Sequence, residues 1–273
     1  MVKKLYKHEF KAWLRVIPLF WVAMVGIAVA GRLVQLFEND SIYYKIIFVF
    51  SLIGFVLAAI VMIGAPVFFG IYRFYRNLFT GEGYLSFTLP VTSGQHLWVK
   101  VSTAVCLSIL SFLVVMLSGV ILVSGDVLTE ILKAMAYLWK QLKENIPGEW
   151  VPHLIGYAIE YTLIFVISMF ATYLMYGTCI CIGQLARKNR VLVAVGVYFG
   201  FQVVAQMLST GFSLIFTVLN VSGTMEKIVQ FATDHPFATG HMLLGGSGLF
   251  VLLLTTVYWF VCHGIMRKRL NLE

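Results

Sequence analysis

The side chains best suited to chemistry or transport lie on one face of an otherwise apolar segment, residues 191–220. They recur at steps of three, four and seven residues, which places them on one side of a helix. They are Tyr198, Gln202, Gln206, Ser209, Ser213 and Asn220. Because side-chain amides are costly in hydrocarbon unless they meet a partner or water, this face is predicted to avoid lipid. Two interpretations stay open: the face lines a transport route, or it forms a polar seam between helices.

Two charged side chains also fall inside apolar segments. Arg32 lies near the end of the first segment and Glu160 near the start of the fourth, so both are expected in the outer half of a bilayer. They could pair, because a lone buried ion is expensive. Arg32 could instead snorkel to the outer headgroups. Glu160, flanked by Tyr157 and Tyr161, cannot reach as far and is the better candidate for a polar site.

The motifs of common enzymes are absent from the sequence. There is no Gly-x-x-x-x-Gly-Lys-Ser/Thr phosphate loop, no His-Glu-x-x-His pair, and no serine or cysteine in a recognisable nucleophile motif. We therefore expect no catalytic residue and no metal site in this chain. The four cysteines are interpreted as buried thiols that act as small apolar residues: Cys106, Cys179, Cys181 and Cys262.

The composition is that of a membrane protein. Hydrophobic residues make up 60% of the chain and charged residues 12%, and the mean hydropathy is +0.90; a soluble domain is about half apolar and a quarter charged. A spanning helix needs roughly 20 mainly apolar residues. Six segments meet this requirement: 16–36, 46–70, 98–123, 152–182, 191–220 and 242–266. They lack the alternation of a barrel, so helices are the remaining spanning structure. The sequence predicts an all-α polytopic membrane protein with six transmembrane helices.

Lysine and arginine positions predict the orientation. Most of the 20 basic residues lie at the two termini and in the second and fourth connections, which therefore face the cytoplasm. The net charge of +8 thus reports the topology. Because the basic residues are spread over four places, we do not interpret them as a nucleic-acid binding site, although anionic lipid headgroups would attract the basic cytoplasmic face. The basic start followed by Ala28-Val29-Ala30 also resembles a signal peptide; we interpret it as the first membrane helix.

Three connecting regions are predicted to be amphipathic. Residues 1–15 resemble an interfacial helix with lysines on one side. Residues 124–150 are expected to form an extracellular amphipathic helix that lies on the outer leaflet or caps the bundle. The last outer loop, residues 221–241, is predicted to hold a short helix over 224–233 that ends near Pro236. Residues 72–97 form a cytoplasmic segment several times longer than a plain connection needs. No internal repeat or linker indicates a second domain, so residues 1–273 are interpreted as one membrane domain.

The long cytoplasmic segment carries a sequence pattern. An acidic residue, Glu82, precedes a glycine-led amphipathic stretch, Gly83 to Leu89, which is followed by a turn at Pro90 and by Lys100 at the start of the third span. Together with six spans and both termini inside, this pattern resembles the ABC-2 type permease family, the membrane subunits of ABC exporters. Gly94-Gln95-His96 departs from the family, where charged residues are common.

The resemblance implies a coupling helix that docks on a separate cytoplasmic ATPase, with ATP and Mg bound by that partner and no cofactor bound here. The coupling residues would be Glu82, Gly83, Tyr84, Leu85, Phe87, Leu89 and Pro90. It also implies a dimer with a second copy or a paralogue in a bacterial plasma membrane, with the second and fifth spans lining the path. The apolar, aromatic lining then favours export of an amphipathic substrate, such as a cytolytic or antimicrobial peptide.

Two other functions are open at this stage. An ion-coupled secondary transporter or channel would work without an ATPase and would use Glu160 or Arg32 as its titrating site. A membrane scaffold or sensor would show neither flux nor stimulated ATP hydrolysis.

Overall fold

The computed structural model describes residues 2–37, 41–80, 83, 91–145, 147–186, 188–221 and 224–268. Within these residues the chain forms nine helices and no strand. In chain order they are α1 Val2–Trp13, α2 Ile17–Leu36, α3 Ile42–Phe79, α4 Ser93–Val123, α5 Asp126–Asn145, α6 Trp150–Gly183, α7 Arg190–Val221, α8 Thr224–Asp234 and α9 Pro236–Lys268.

Six of these helices are long and apolar enough to cross a membrane: α2, α3, α4, α6, α7 and α9. The prediction of an all-helical chain with six spans is confirmed at this level. The bounds differ most at α3, which continues to Phe79, well beyond the predicted end at residue 70. A helix can continue past the apolar core because charged side chains such as Arg73 and Arg76 are tolerated once they reach polar surroundings.

The contacts divide the chain into two units, and the first contains α1, α2, α3 through Phe74, α4 and α5. In this unit the Trp21 indole donates a hydrogen bond to the Ser111 hydroxyl at 3.0 Å. Further along, Met24 packs in one cluster with Met62 and Val115. Residue numbers therefore increase in the same direction along α2 and α4, so these two helices run parallel. The first and third crossings of a membrane must have this arrangement.

The second unit contains the last turn of α3 and helices α6 to α9, and its main packing surface joins α6 to α9. The Thr178 hydroxyl donates to the Tyr258 carbonyl oxygen at 3.1 Å. The Cys181 and Cys262 sulfurs lie 3.1 Å apart, and both residues are fully buried. The sequence predicts four single buried thiols. The structure confirms burial of Cys179, Cys181 and Cys262, but Cys106 is exposed, and Cys181 and Cys262 are in contact. α6 and α9 also run parallel.

Two of the short helices, α1 and α5, match predicted amphipathic segments, and α8 matches the short helix predicted in the last outer loop. α1 is packed against α4 and has Trp13 fully buried. The apolar side chains of α5 are instead exposed, for example Met135 at 60% and Trp139 at 70%. Of the two predicted positions for this helix, the described contacts therefore do not support a cap over the bundle. α8 occupies the region where the sequence predicts a short helix, residues 224–233.

Candidate functional site

A buried carboxylate joins α1 to the ends of α3 and α4. Glu9 is only 6% exposed. The Arg73 guanidinium donates to both of its oxygens, from Nη2 to Oε2 at 2.8 Å and from Nε to Oε1 at 3.1 Å. The Lys100 ammonium donates to Oε1 at 3.4 Å. Such bidentate, charge-assisted contacts are the strong class of hydrogen bond. We call Glu9, Arg73 and Lys100 the α1 clamp.

The electrostatics of the α1 clamp favour ionised Glu9. Burial alone raises the pKa of the Glu9 carboxyl, because a charge is poorly solvated away from water. The charge of Lys100 and the hydrogen-bonded guanidinium of Arg73 together outweigh burial, so the pKa lies below its ordinary value of 4.5. At neutral pH the clamp is therefore one carboxylate between two cations.

Two further contacts fix α1 on the same helices. The Trp13 ring meets Phe69 of α3 edge-on, with ring centroids 4.9 Å apart. The Tyr6 hydroxyl hydrogen-bonds Ser102 of α4 at 2.7 Å. The predicted interfacial helix is thus held by side chains of the bundle as well as by its amphipathic face. Sequence reasoning noted the apolar stripe but missed Glu9, the acidic residue among the lysines.

The connection between α3 and α4 is shorter than the predicted coupling segment, residues 72–97. α3 ends at Phe79 and α4 begins at Ser93, where Thr92 and Gln95 form a reciprocal capping box. Gly83 is buried, and its amide donates to the Thr80 carbonyl oxygen at 2.7 Å. The other predicted coupling residues lie outside the described residues: Glu82, Tyr84, Leu85, Phe87, Leu89 and Pro90.

The polar face of α7 is open in the single chain. Tyr198 is half-buried and stacks on Tyr176, with ring centroids 5.8 Å apart. The rest of the predicted path is exposed: Gln202, Gln206, Ser209 and Ser213. Neither amide side chain makes a hydrogen bond with another described residue. The stripe therefore contacts α6 at Tyr198 and is exposed further along α7.

The two intramembrane charges each have a partner in their own unit. The Arg32 guanidinium donates to the Gln35 side-chain oxygen at 2.9 Å and lies against Gly125. Glu160 Oε1 lies 2.8 Å from His241 Nδ1, and His241 Nε2 lies 3.2 Å from His153 Nδ1. His241 was missed from sequence, where it was one of six scattered histidines near span ends.

A cavity of about 930 Å³ opens where α7 begins. Asn189 adopts a left-handed backbone there, with φ 54, a conformation that asparagine tolerates better than most residues. The lining is basic at one side and aliphatic at the other: Tyr75, Lys188, Asn189, Arg190, Val191, Leu192 and Val195.

Comparison of this chain with protein-family models, with curated proteins and with solved structures gives no match. The interpretation of its sites therefore depends on their own geometry and chemistry.

Proposed function

We propose that this chain is the permease subunit of an ATP-driven exporter in a bacterial plasma membrane, coupled to a separate ATPase. The observation that carries the proposal is the α1 clamp, because Glu9 holds the two helix ends that flank residues 80–92. The family resemblance of that segment supplies the kind of partner. Because the sequence has no phosphate loop, an ATP-driven mechanism would need a nucleotide site on another protein.

The clamp gives the proposal a mechanical basis. Arg73 lies within two turns of the end of α3, and Lys100 lies within two turns of the start of α4. One carboxylate contacts both, so these helix ends cannot separate without breaking charged hydrogen bonds. A partner that displaces the connection would therefore move α3, α4 and α1 together. Packed helices transmit such displacements as rigid elements.

The open stripe on α7 supports a path shared with a second copy. Exposed amides within an apolar span are costly in lipid, so Gln202 and Gln206 require water or another protein surface. Large aromatic side chains on the same helix are also exposed, including Phe199 at 62% and Phe212 at 60%. A surface with a few amides among aromatic rings suits an amphipathic substrate such as a cytolytic or antimicrobial peptide.

The coupling assignment is tested by crosslinking and ATP hydrolysis. A photoreactive residue at position 84 or 85 should crosslink to a protein that carries a phosphate loop, and the pair should hydrolyse ATP faster with substrate. Glu82→Gln should lower that stimulated rate by about tenfold, since hydrogen bonds to charged groups contribute roughly 1.5–3 kcal/mol.

Glu144→Gln is the matched control, because Glu144 is exposed and its one ion pair within the described part of the chain is a long contact to Lys140 at 3.9 Å. It should leave the stimulated rate unchanged. Full coupled activity in Glu82→Gln would show that the coupling assignment is wrong. Transport by the purified chain in liposomes, driven by an ion gradient without an ATPase, would favour the ion-coupled alternative.

The shared path is tested by cysteine crosslinking. Cys106 is the exposed native cysteine among the described residues, so the background is Cys106→Ser. Gln206→Cys should give a crosslinked dimer in membranes. Leu208→Cys is the control, since it is also exposed, at 52%, but lies on the opposite face of α7. Equal crosslinking of the two variants, or none in either, would contradict a dimer built around the stripe.

A further inference from the structure

Three titratable side chains from α6 and α9 form one hydrogen-bonded chain. Glu160, His241 and His153 follow one another at 2.8 Å and 3.2 Å, with His241 in the middle. The side chains of His241 and Glu160 are 31% and 34% exposed, so the chain is partly shielded. Glu160 Oε2 is itself buried and has no hydrogen-bond partner among the described residues. Both ring nitrogens of His241 are engaged, which leaves this ring no free lone pair for a metal.

The surrounding residues hold this chain in place. Gly156 allows the close approach of His241, because a Cβ there would lie 3.1 Å from the imidazole Cε1. The Tyr157 hydroxyl donates to the Phe237 carbonyl oxygen at 3.0 Å. The His153 ring stacks on the Phe237 ring, with centroids 4.1 Å apart and planes 8° apart. The geometry is thus maintained by packing on both helices.

The hydrogen bonds determine where protons lie. The Glu160 carboxylate only accepts, so His241 donates from Nδ1. In the neutral ring His241 Nε2 then accepts, so His153 donates from Nδ1 and keeps a free lone pair on Nε2. A proton that binds His153 Nε2 allows the Nδ1 proton to pass to His241 Nε2. The result is neutral His153 and a His241 imidazolium beside the Glu160 carboxylate. One proton has been taken up, and only N–H bonds have formed and broken.

We propose that His153, His241 and Glu160 form a proton-binding relay, loaded at His153 and storing its proton on His241 next to Glu160. His153 is within the first turn of α6, and Glu160 lies about 10 Å further along that helix. The relay therefore leads from the end of a membrane-spanning helix towards its interior. This inference goes beyond the proposed exporter function and requires neither an ATPase nor a substrate.

Other titratable groups near these helices do not complete the relay. Tyr157 is committed to a backbone oxygen, and Tyr161 is 66% exposed. The charged residues of α8 are Glu226, Lys227 and Asp234. In the part of the chain that the structure describes, neither these residues nor His235 makes a hydrogen bond or ion pair with the three relay residues.

The test is ¹⁵N nuclear magnetic resonance of the histidine-labelled full chain in lipid nanodiscs, with signals assigned by single substitutions. In the unloaded relay His241 should carry its proton on Nδ1. On acidification it should gain a second proton, on Nε2. Glu160→Gln replaces the carboxylate that accepts from His241 Nδ1 with an amide, so it should shift the His241 Nδ1 signal.

The relay also predicts coupling between the rings. His153→Gln should shift the His241 signals, whereas the matched control His8→Gln, at an exposed position on α1, should not. A His241 ring protonated on Nε2 alone at high pH would overturn the proposal. So would a His241 Nδ1 signal that Glu160→Gln leaves unchanged. If either Glu160→Gln or His153→Gln fails to assemble, the other variant still tests the relay. Neither NMR readout involves ATP, so the test of the relay is independent of the test of the exporter hypothesis.

Discussion

Replacing Glu9 with glutamine tests whether the α1 clamp holds α1 in place. The substitution removes the charge and keeps the shape. Breaking a buried ion pair from one side costs about 3–5 kcal/mol. Here the side chains of Arg73 and Lys100 are 18% and 10% exposed, so water can replace part of the lost interaction. The low end of that range, about 3 kcal/mol, is therefore expected for the opening of α1.

Hydrogen exchange of the α1 backbone amides measures this free energy directly. Because every 1.4 kcal/mol is a factor of ten, exchange in α1 should become roughly 100-fold faster in Glu9→Gln. Exchange in α6 and α9 should stay the same, since none of the three residues of the α1 clamp lies on those helices. The control is Glu144→Gln, where an exposed helical pair contributes at most about 0.5 kcal/mol. Exchange in α1 within twofold of the unsubstituted chain would refute the clamp.

Two further predictions concern pH and close helix packing. The pKa of Glu9 lies below 4.5 in the folded chain, so the contribution of Glu9 to docking of α1 is complete above about pH 4.5 and is lost as the pH falls through the folded pKa. Fluorescence of the buried Trp13 should therefore report release of α1 only at acidic pH. Release of α1 above about pH 6 would contradict this prediction. Gly240→Ala should lower the thermal midpoint by an amount equivalent to about 1–3 kcal/mol, because its Cβ would overlap the Tyr157 ring. Gly246→Ala is the control, with nothing within 4 Å of its Cβ, and equal midpoints for the two variants would show that α6 and α9 pack less closely there.

Much of the fold could be predicted because the relevant signals are local. A span needs a continuous apolar stretch, and the hydrocarbon forces its backbone to satisfy its own hydrogen bonds, so length and hydropathy predict six helices. Apolar residues on one face likewise predict α1 and α5. The end of α3 was predicted too early, because hydropathy marks where lipid ends and does not mark where the helix ends.

The candidate sites were predicted only in part. The stripe on α7 was found because a helical period places its amides on one face without any knowledge of neighbours. Glu160 was found because a charge in an apolar run stands out in any sequence. Its partner was not found, and neither was Glu9, which lies among lysines and reads from sequence as one more solvated charge.

The sequence by itself determined the number of spans, the amphipathic helices and the polar face of α7, since each follows from residues within a few turns of one another. Only the tertiary structure decided which charges meet. Glu9 is 64 positions from Arg73 and 91 from Lys100, and Glu160 is 81 positions from His241. Such pairs arise when separate helices pack side by side, and the order of residues along any one helix carries no record of which neighbour it faces.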